Sequence, residues 1–308
     1  TEWGVSYDGR RAEPINLPVK FPLLLAQGGE GIAVGLSTKI LPHNFNELID
    51  ASIKILKGKP FTLFPDFPTA GIADVSNYND GMRGGRVRVR AKISQLDKQT
   101  LVITQIPFST NTSTLIDSIL KANEKGKIKV KKIEDNTAAE VEILIHLPPG
   151  VSPDKTIDAL YAFTACETSI APLGCVIQNH KPLFIGVSDM LKISTNRTVE
   201  LLRQELEIQL QELETKWHFS TLEKIFIREE MYIDFKRYSD KESLFEYMYK
   251  RFEPFRKLLV RDIIDEDLQK LTQIPMIRIT RFDSDKADEL IAKLEDEMAQ
   301  VKHHLANL

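Results

Sequence analysis

The sequence predicts an α+β protein in two parts, a sheet-and-helix domain over residues 1–190 and a long antiparallel coiled coil with a small helical knob over 191–308. Three observations predict it. Residues 85–93 alternate strictly between apolar and cationic side chains, as a strand with one buried face does. Residues 101–177 change period in the order strand, helix, strand, strand, helix, strand, a β-α-β-β-α-β pattern that layers helices on one face of a sheet. At the far end Ala287, Ile291, Leu294, Met298, Val301, Leu305 and Leu308 recur at steps of four and three, the seam of a helix that faces a partner helix.

Taken in order, residues 1–70 are rich in proline and glycine and read as loops around short strands. One helix interrupts them over 44–58, with Asn44 as its N-cap and Leu48, Ile49, Ile53 and Leu56 as the expected buried stripe. In residues 85–93, Val87, Val89, Ala91 and Ile93 point one way and Arg86, Arg88, Arg90 and Lys92 the other. The chain turns over 96–100 and returns as a strand over 101–106, which predicts a hairpin. The later elements are expected at 112–123 (helix), 127–133 and 140–147 (strands), 152–164 (helix) and 174–177 (strand). Beyond residue 188, Val199, Leu202, Leu206, Leu213 and Trp217 form a stripe. Two long helices distant in sequence, each needing a partner, pair most simply with each other.

Composition narrows the class. An apolar content of 42% with 28% charged residues suits a globular protein with a real core, and no apolar run is long enough for a membrane helix. Two cysteines, Cys166 and Cys175, are too few for a disulfide scaffold and lack metal-ligand spacing with histidine, so both are expected reduced. No secretory signal opens the chain, and the absence of an initiator methionine predicts a piece of something longer. The net charge of −3 conceals a polarised distribution: residues 83–132 hold twelve Lys and Arg against three acids, a surplus of +9.

The run Leu17-Pro-Val-Lys-Phe-Pro-Leu-Leu-Leu-Ala-Gln-Gly-Gly-Glu-Gly-Ile-Ala-Val-Gly-Leu-Ser-Thr-Lys-Ile-Leu-Pro-His-Asn44 resembles the signature of the type IIA topoisomerase A subunits, those of gyrase and topoisomerase IV. Pro65-Asp-Phe-Pro-Thr69, the glycine- and arginine-rich segment 81–90 and Ile106-Pro107 extend the likeness. The resemblance implies a tower-type DNA-bending domain followed by a coiled coil whose tip is a two-fold exit gate. It implies that Ile32 is pushed between base pairs, an apolar wedge that unstacks one step and bends the duplex. On residue types alone, Ile32 and Val34 read as interior residues of a strand, and the resemblance reverses that reading. Lys20, Lys39, His43 and Asn44 flank the wedge as expected phosphate contacts, His43 having a loop hydrogen-bonding role as its alternative. The Arg86, Arg88, Arg90 and Lys92 face is either a solvated edge or a phosphate-binding face. Four like charges with no interleaved acid favour the latter. The lysine run at 125–132 ranks below it.

The family's chemistry is attack of a tyrosine on a DNA phosphate, and the resemblance places that tyrosine outside these residues. Arg237-Tyr238-Ser239 mimics the family's Arg-Tyr-Thr but lies in the helical region, so Tyr238 is expected to pack rather than react. The fragment alone is therefore expected inactive and to hold no cofactor. Mg²⁺ and ATP belong to the partner B subunit. The implied partners are duplex DNA, a second copy through Leu271, Ile274, Met276, Ile277 and Ile279 (or else these form the knob's own core), and the B subunit, in the cytoplasm. The rival reading is a non-enzymatic nucleic-acid-binding scaffold with a coiled-coil arm. A nucleotide site on the glycines at 28–35 is excluded because no Gly-Lys-Ser/Thr follows.

Overall fold

The computed structural model describes residues 1–178 and 180–308, and its contacts divide the chain into a unit Thr1–Thr198 and a unit Val199–Leu308. The first unit begins with the hairpin β1 (Glu2–Val5) and β2 (Ala12–Asn16), then α1 (Leu23–Gln27), the hairpin β3 (Gly29–Ala33) and β4 (Leu36–Ile40), and α2 (Phe45–Leu56). It continues with β5 (Ile72–Asn77), β6 (Arg86–Arg90), β7 (Lys92–Gln95), β8 (Thr100–Gln105), α3 (Thr112–Glu124), β9 (Lys132–Asp135), β10 (Ile143–His146) and α4 (Pro153–Phe163). It closes with β11 (Glu167–Ile170), β12 (Cys175–Gln178), β13 (Lys181–Phe184) and the start of α5 (Val187–Arg228). The second unit holds the rest of α5, then α6 (Lys241–Phe252), α7 (Asp265–Thr272), α8 (Met276–Thr280) and α9 (Ser284–Ala306).

The alternation at 85–93 is present, with Val87, Val89 and Ala91 fully buried and the cations outward. The hairpin is present, but only Lys92–Gln95 pairs back onto Thr100–Gln105, while Arg86–Arg90 pairs elsewhere. At Ala91 the chain leaves one sheet for another: β6 is the middle of β11-β6-β5, whereas β7 is an edge of β7-β8-β10-β9. Ala91 makes the joint, its amide donating to the Cys166 carbonyl at 2.8 Å and its carbonyl accepting from the Tyr161 hydroxyl at 2.9 Å. Every strand pairing among the described residues is antiparallel. The β-α-β-β-α-β order survives as β8-α3-β9-β10-α4-β11, with two corrections. Its last strand is β11, which joins the other sheet, and the expected strand at 174–177 pairs separately as β12 with β13.

Two further expectations move. The strand at 127–133 starts only at Lys132, because residues 125–131 close the end of α3 rather than extend the sheet. On α2 the buried side is Leu48 and Ala51 with Ile55 against it, while Ile49, Ile53 and Leu56 face outward. Seven apolar residues surround that helix, so more than one stripe fits the same letters. Both cysteines are free and buried, and burial pushes the Cys166 thiol up to about 11, an inert core sulfur.

In the second unit α5 and α9 run antiparallel. Leu206, Leu210, Leu213 and Trp217 interlock with Leu294, Met298, Val301 and Leu305. The cross-links reverse order along the two helices: Lys224 pairs with Asp288, Trp217 donates to Glu295 at 3.0 Å, and Lys302 lies 3.5 Å from Glu214. A separate core of Leu222, Phe226, Met231, Phe245, Met248, Phe252, Leu268 and Leu271 packs α6 and α7 on the end of α5 as the knob. Arg261 forks onto Asp267 at 2.6 and 2.8 Å, and Asp267 accepts from the Ile264 amide, fixing the start of α7. His218 is buried beside this group, its Nε2 lying 3.4 Å from Asp267 Oδ2 without a hydrogen bond, and burial depresses its pKa.

Candidate nucleic-acid interface

The β3–β4 hairpin is an arm with a fixed base and a bare tip. Five register pairs run from Gly29↔Ile40 to Ala33↔Leu36, leaving Val34 and Gly35 as a two-residue turn. Gly35 sits at φ +79°, which a side chain would strain. Gly28 is required at the base: it has φ +73°, and a Cβ there would lie 2.7 Å from the Ile40 carbonyl oxygen. Lys39 exchanges two backbone hydrogen bonds with Leu173, at 2.8 and 2.9 Å, and the Thr38 hydroxyl both donates to the Leu173 carbonyl and accepts from the Cys175 amide. Ile40 and Leu41 then enter the core.

At the other end the apolar side chains have nothing to cover them. Ile32 is 88% exposed and Val34 is fully exposed. Burying a side chain of that size is worth roughly 1.5–3 kcal/mol, so a fold that leaves two such residues in water forgoes that stabilisation at the tip. This removes the interior-strand reading of Ile32 and Val34.

The residues around the base hold different posts from those expected. His43 is corrected: it is 4% exposed, a core side chain rather than a phosphate contact. Its Nδ1 lies 3.2 Å from the Leu25 carbonyl and its Nε2 3.2 Å from the Tyr78 hydroxyl. A carbonyl only accepts, so Nδ1 carries the proton and Nε2 accepts from Tyr78. Burial holds its pKa below the usual histidine value, keeping it neutral, and pushes the Tyr78 phenol upward. Asn44 is the N-cap of α2, its Oδ1 accepting from the Asn46 and Glu47 amides at 2.9 and 3.3 Å while its Nδ2 donates to Asp66. Lys39 is tied to Glu30 across the arm at 3.1 Å, and Lys20 is exposed between β2 and α1.

The β6 face is cationic, but the absence of interleaved acid holds only along the strand. Its neighbours supply the acids: Arg88 meets Asp74 of β5 at 2.6 Å, and Arg90 meets Glu167 of β11 at 2.5 Å. The Ser76 hydroxyl and the Arg88 guanidinium hold the Asp74 carboxyl far below the carboxylate range. Arg90 also lies over the Tyr161 ring, 4.9 Å from its centre. Arg86 and Lys92 are exposed and, among the described residues, have no ion pair. The four cations of residues 86–92, Lys92 being already on β7, and their two acid partners leave a net of +2.

Of the expected self-pairing residues, Leu271 and Ile279 are buried in the knob core and are corrected to packing roles, and Ile274 packs against that core. Met276 and Ile277, at the start of α8, stand 62% and 59% exposed. Tyr238 stacks on Tyr247 with ring centres 4.9 Å apart. The tyrosines whose acidity is displaced, Tyr78, Tyr161, Tyr247 and Tyr249, all move upward, chiefly through burial, Tyr249 to about 12. That is the opposite of activation for nucleophilic attack.

Comparison with known proteins gives the class first: residues 1–308 match the family model that describes the A subunit of DNA gyrase/topoisomerase IV. The chain belongs to that family. It is 38% identical over 303 residues to the A subunit of DNA topoisomerase 4 from Borreliella burgdorferi, covering 98% of this chain and 48% of that protein. It is 32% identical over 230 residues to the A subunit of DNA gyrase from Lawsonia intracellularis, covering 69% of this chain and 28% of that protein. With the corresponding gyrase protein of Chlamydia muridarum the identity is 26% over 311 residues, 94% of this chain and 36% of the relative. The chain thus spans about half the length of the first relative and about a third of the others.

Proposed function

We propose that residues 1–198 are a tower-type DNA-bending domain and that 199–308 form the coiled coil and two-fold gate of a type IIA topoisomerase, an enzyme that passes one duplex through another. One observation carries the reading: two large apolar side chains, Ile32 and Val34, stand unshielded at the tip of an arm whose base is locked into the core. An apolar group held this way gains by leaving water, and a base step offers it an apolar slot. Unstacking costs a few kcal/mol, offset by further backbone contacts along the bent duplex. Arg86 and Lys92, exposed and without an ion pair among the described residues, and Lys20 are the contacts assigned to backbone phosphates.

By family likeness strand cleavage is assigned to a tyrosine outside these residues, and Mg²⁺ and ATP are handled by the B subunit of an A₂B₂ assembly in the cytoplasm. No described helix is long and apolar enough to cross a membrane. The exposed Met276 and Ile277 are the knob's contribution to a second copy.

The test is Ile32→Ala in the whole chain, with duplex bending read by energy transfer between the duplex ends. Melting should be unchanged and the bend should fall toward that of free DNA. A bend equal to that of the unaltered chain removes the wedge.

A further inference from the structure

The structure redistributes the positive charge that the sequence shows. Over residues 86–92 half the cations, Arg88 and Arg90, are engaged by carboxylates, but the turn between α3 and β9 is different. Residues 121–134 carry six lysines against two acids, a net of +4, where the four cations of 86–92 with their two acid partners leave +2. Among the described residues only Lys132 of the six is ion-paired, to Glu134. Lys121, Lys125, Lys127, Lys129 and Lys131 are exposed and have no carboxylate partner among the described residues.

The backbone under them is held rigidly. Asn123 clamps Val130, its Oδ1 accepting from the Val130 amide at 2.9 Å and its Nδ2 donating to the Val130 carbonyl at 3.3 Å. The Lys127 amide closes α3 on the Ala122 carbonyl at 3.0 Å, and the Lys131 amide bonds the His146 carbonyl of β10 at 2.8 Å. Ile128 is buried in the core beneath. Exposure therefore alternates, with Lys127, Lys129 and Lys131 outward and Ile128 and Val130 turned in. The three lysines thus stand at alternate positions of an irregular turn, outward-facing charges on a fixed support. Lys127 is further steadied over the exposed Phe163 ring, 5.5 Å from its centre.

Lys121 and Lys125 also serve the C-terminal dipole of α3, so they carry no weight here. Lys127, Lys129 and Lys131 lie beyond the helix, and no fold requirement explains three unneutralised like charges in a row. We infer that Lys127, Lys129 and Lys131 form a second phosphate-binding rim, beside the β9 edge of the four-stranded sheet and opposite its β7 edge, that grips the backbone of duplex DNA. This deepens the duplex-DNA reading above and rests on it. A polyanion fits a cluster of unneutralised point charges on one rim, whereas a protein partner would call for a broad apolar centre, and the apolar ring lying against this cluster is Phe163.

The test is the 308-residue chain carrying Lys127→Gln, Lys129→Gln and Lys131→Gln together, binding a duplex of about 40 base pairs across a salt series. The slope of log affinity against log salt should shrink by about 2–3, and affinity at about 0.1 M salt should fall about 100-fold, with melting unchanged. Lys129→Gln alone should remove about 1 from the slope, which covers misfolding of the triple variant. Arg88→Gln with Arg90→Gln should remove less than the triple change, since both are already paired. An unaltered slope in a triple variant whose parent binds and bends DNA overturns the rim and leaves the wedge standing. Failure of the unaltered chain to bind duplex at low salt overturns both. An equal loss of binding to a polyglutamate chain overturns the assignment to DNA and moves the rim to acidic protein partners.

Discussion

The tip of the β3–β4 arm and the start of α8 both hold apolar side chains in water, yet they are built on opposite supports. Ile32 and Val34 stand on two strands and a glycine turn, with no core behind them. Met276 and Ile277 stand on a knob whose own core, from Leu222 to Ile279, lies directly beneath. A slender support lets a side chain enter something; a broad one lets it cover something. The same residue type therefore reads as a wedge in one place and as a self-complementary patch in the other.

The largest effect that sharpens this contrast is truncation under the patch. Leu271→Ala opens a cavity in the knob and should cost about 2–5 kcal/mol, seen as a lower melting temperature of the second unit. The Ile32→Ala change at the tip should leave melting where it was. A small shift for Leu271→Ala would mean the patch has no more support than the tip.

Acidification gives a smaller, graded effect. His43 and His218 are both buried with depressed pKa values, so the unfolded chain takes up protons first. Stability should be full above the ordinary histidine value of about 6.5 and be lost as pH falls below it toward the folded-state values, by at most about 1.4 kcal/mol per pH unit per histidine. Asp267 stays charged through this window, because Arg261 and the Ile264 amide outweigh its burial and lower its carboxyl. His218→Gln should flatten the loss in the second unit, followed by amide exchange of α7. An unchanged pH profile would relocate the acid sensitivity to His43.

The smallest expected change in fold stability comes with Ile277→Lys. It should leave melting unchanged and weaken self-association in sedimentation by about tenfold, the effect of about 1.4 kcal/mol of apolar burial forgone between the two copies. Self-association equal to that of the parent would show that α8 is not the pairing surface.

Much of the architecture was legible because it rests on local periodicity. The buried valines of β6, the cap at Asn44, the helices α3 and α4 and the seam of α9 all follow from residues within one turn or one strand. What was hidden depends on partners far along the chain. Strict alternation is the same whether a strand stays in one sheet or changes sheet at Ala91, since both segments bury the same face. β11 reads Glu-Thr-Ser-Ile, too polar and short to announce itself. The acids that blunt Arg88 and Arg90 lie 14 and 77 positions away, so the arginine face looked barer than it is. The histidine that neighbours a proline looked like a surface contact, and only the fold reveals Leu25 and Tyr78 closing on it.

A turn with nothing packed around it has one more consequence. Beyond Gly35 and its two chain neighbours, nothing lies within 4 Å of the position a Cβ would take at Gly35, and Val34 makes no demand on the core. Selection can therefore exchange the side chains at 32 and 34 without renegotiating the fold, as a craftsman changes the bit but keeps the handle. The arm is a site where mutation is cheap for folding and consequential for what it meets, which makes it the natural place to graft a fluorophore, a crosslinker or a different wedge.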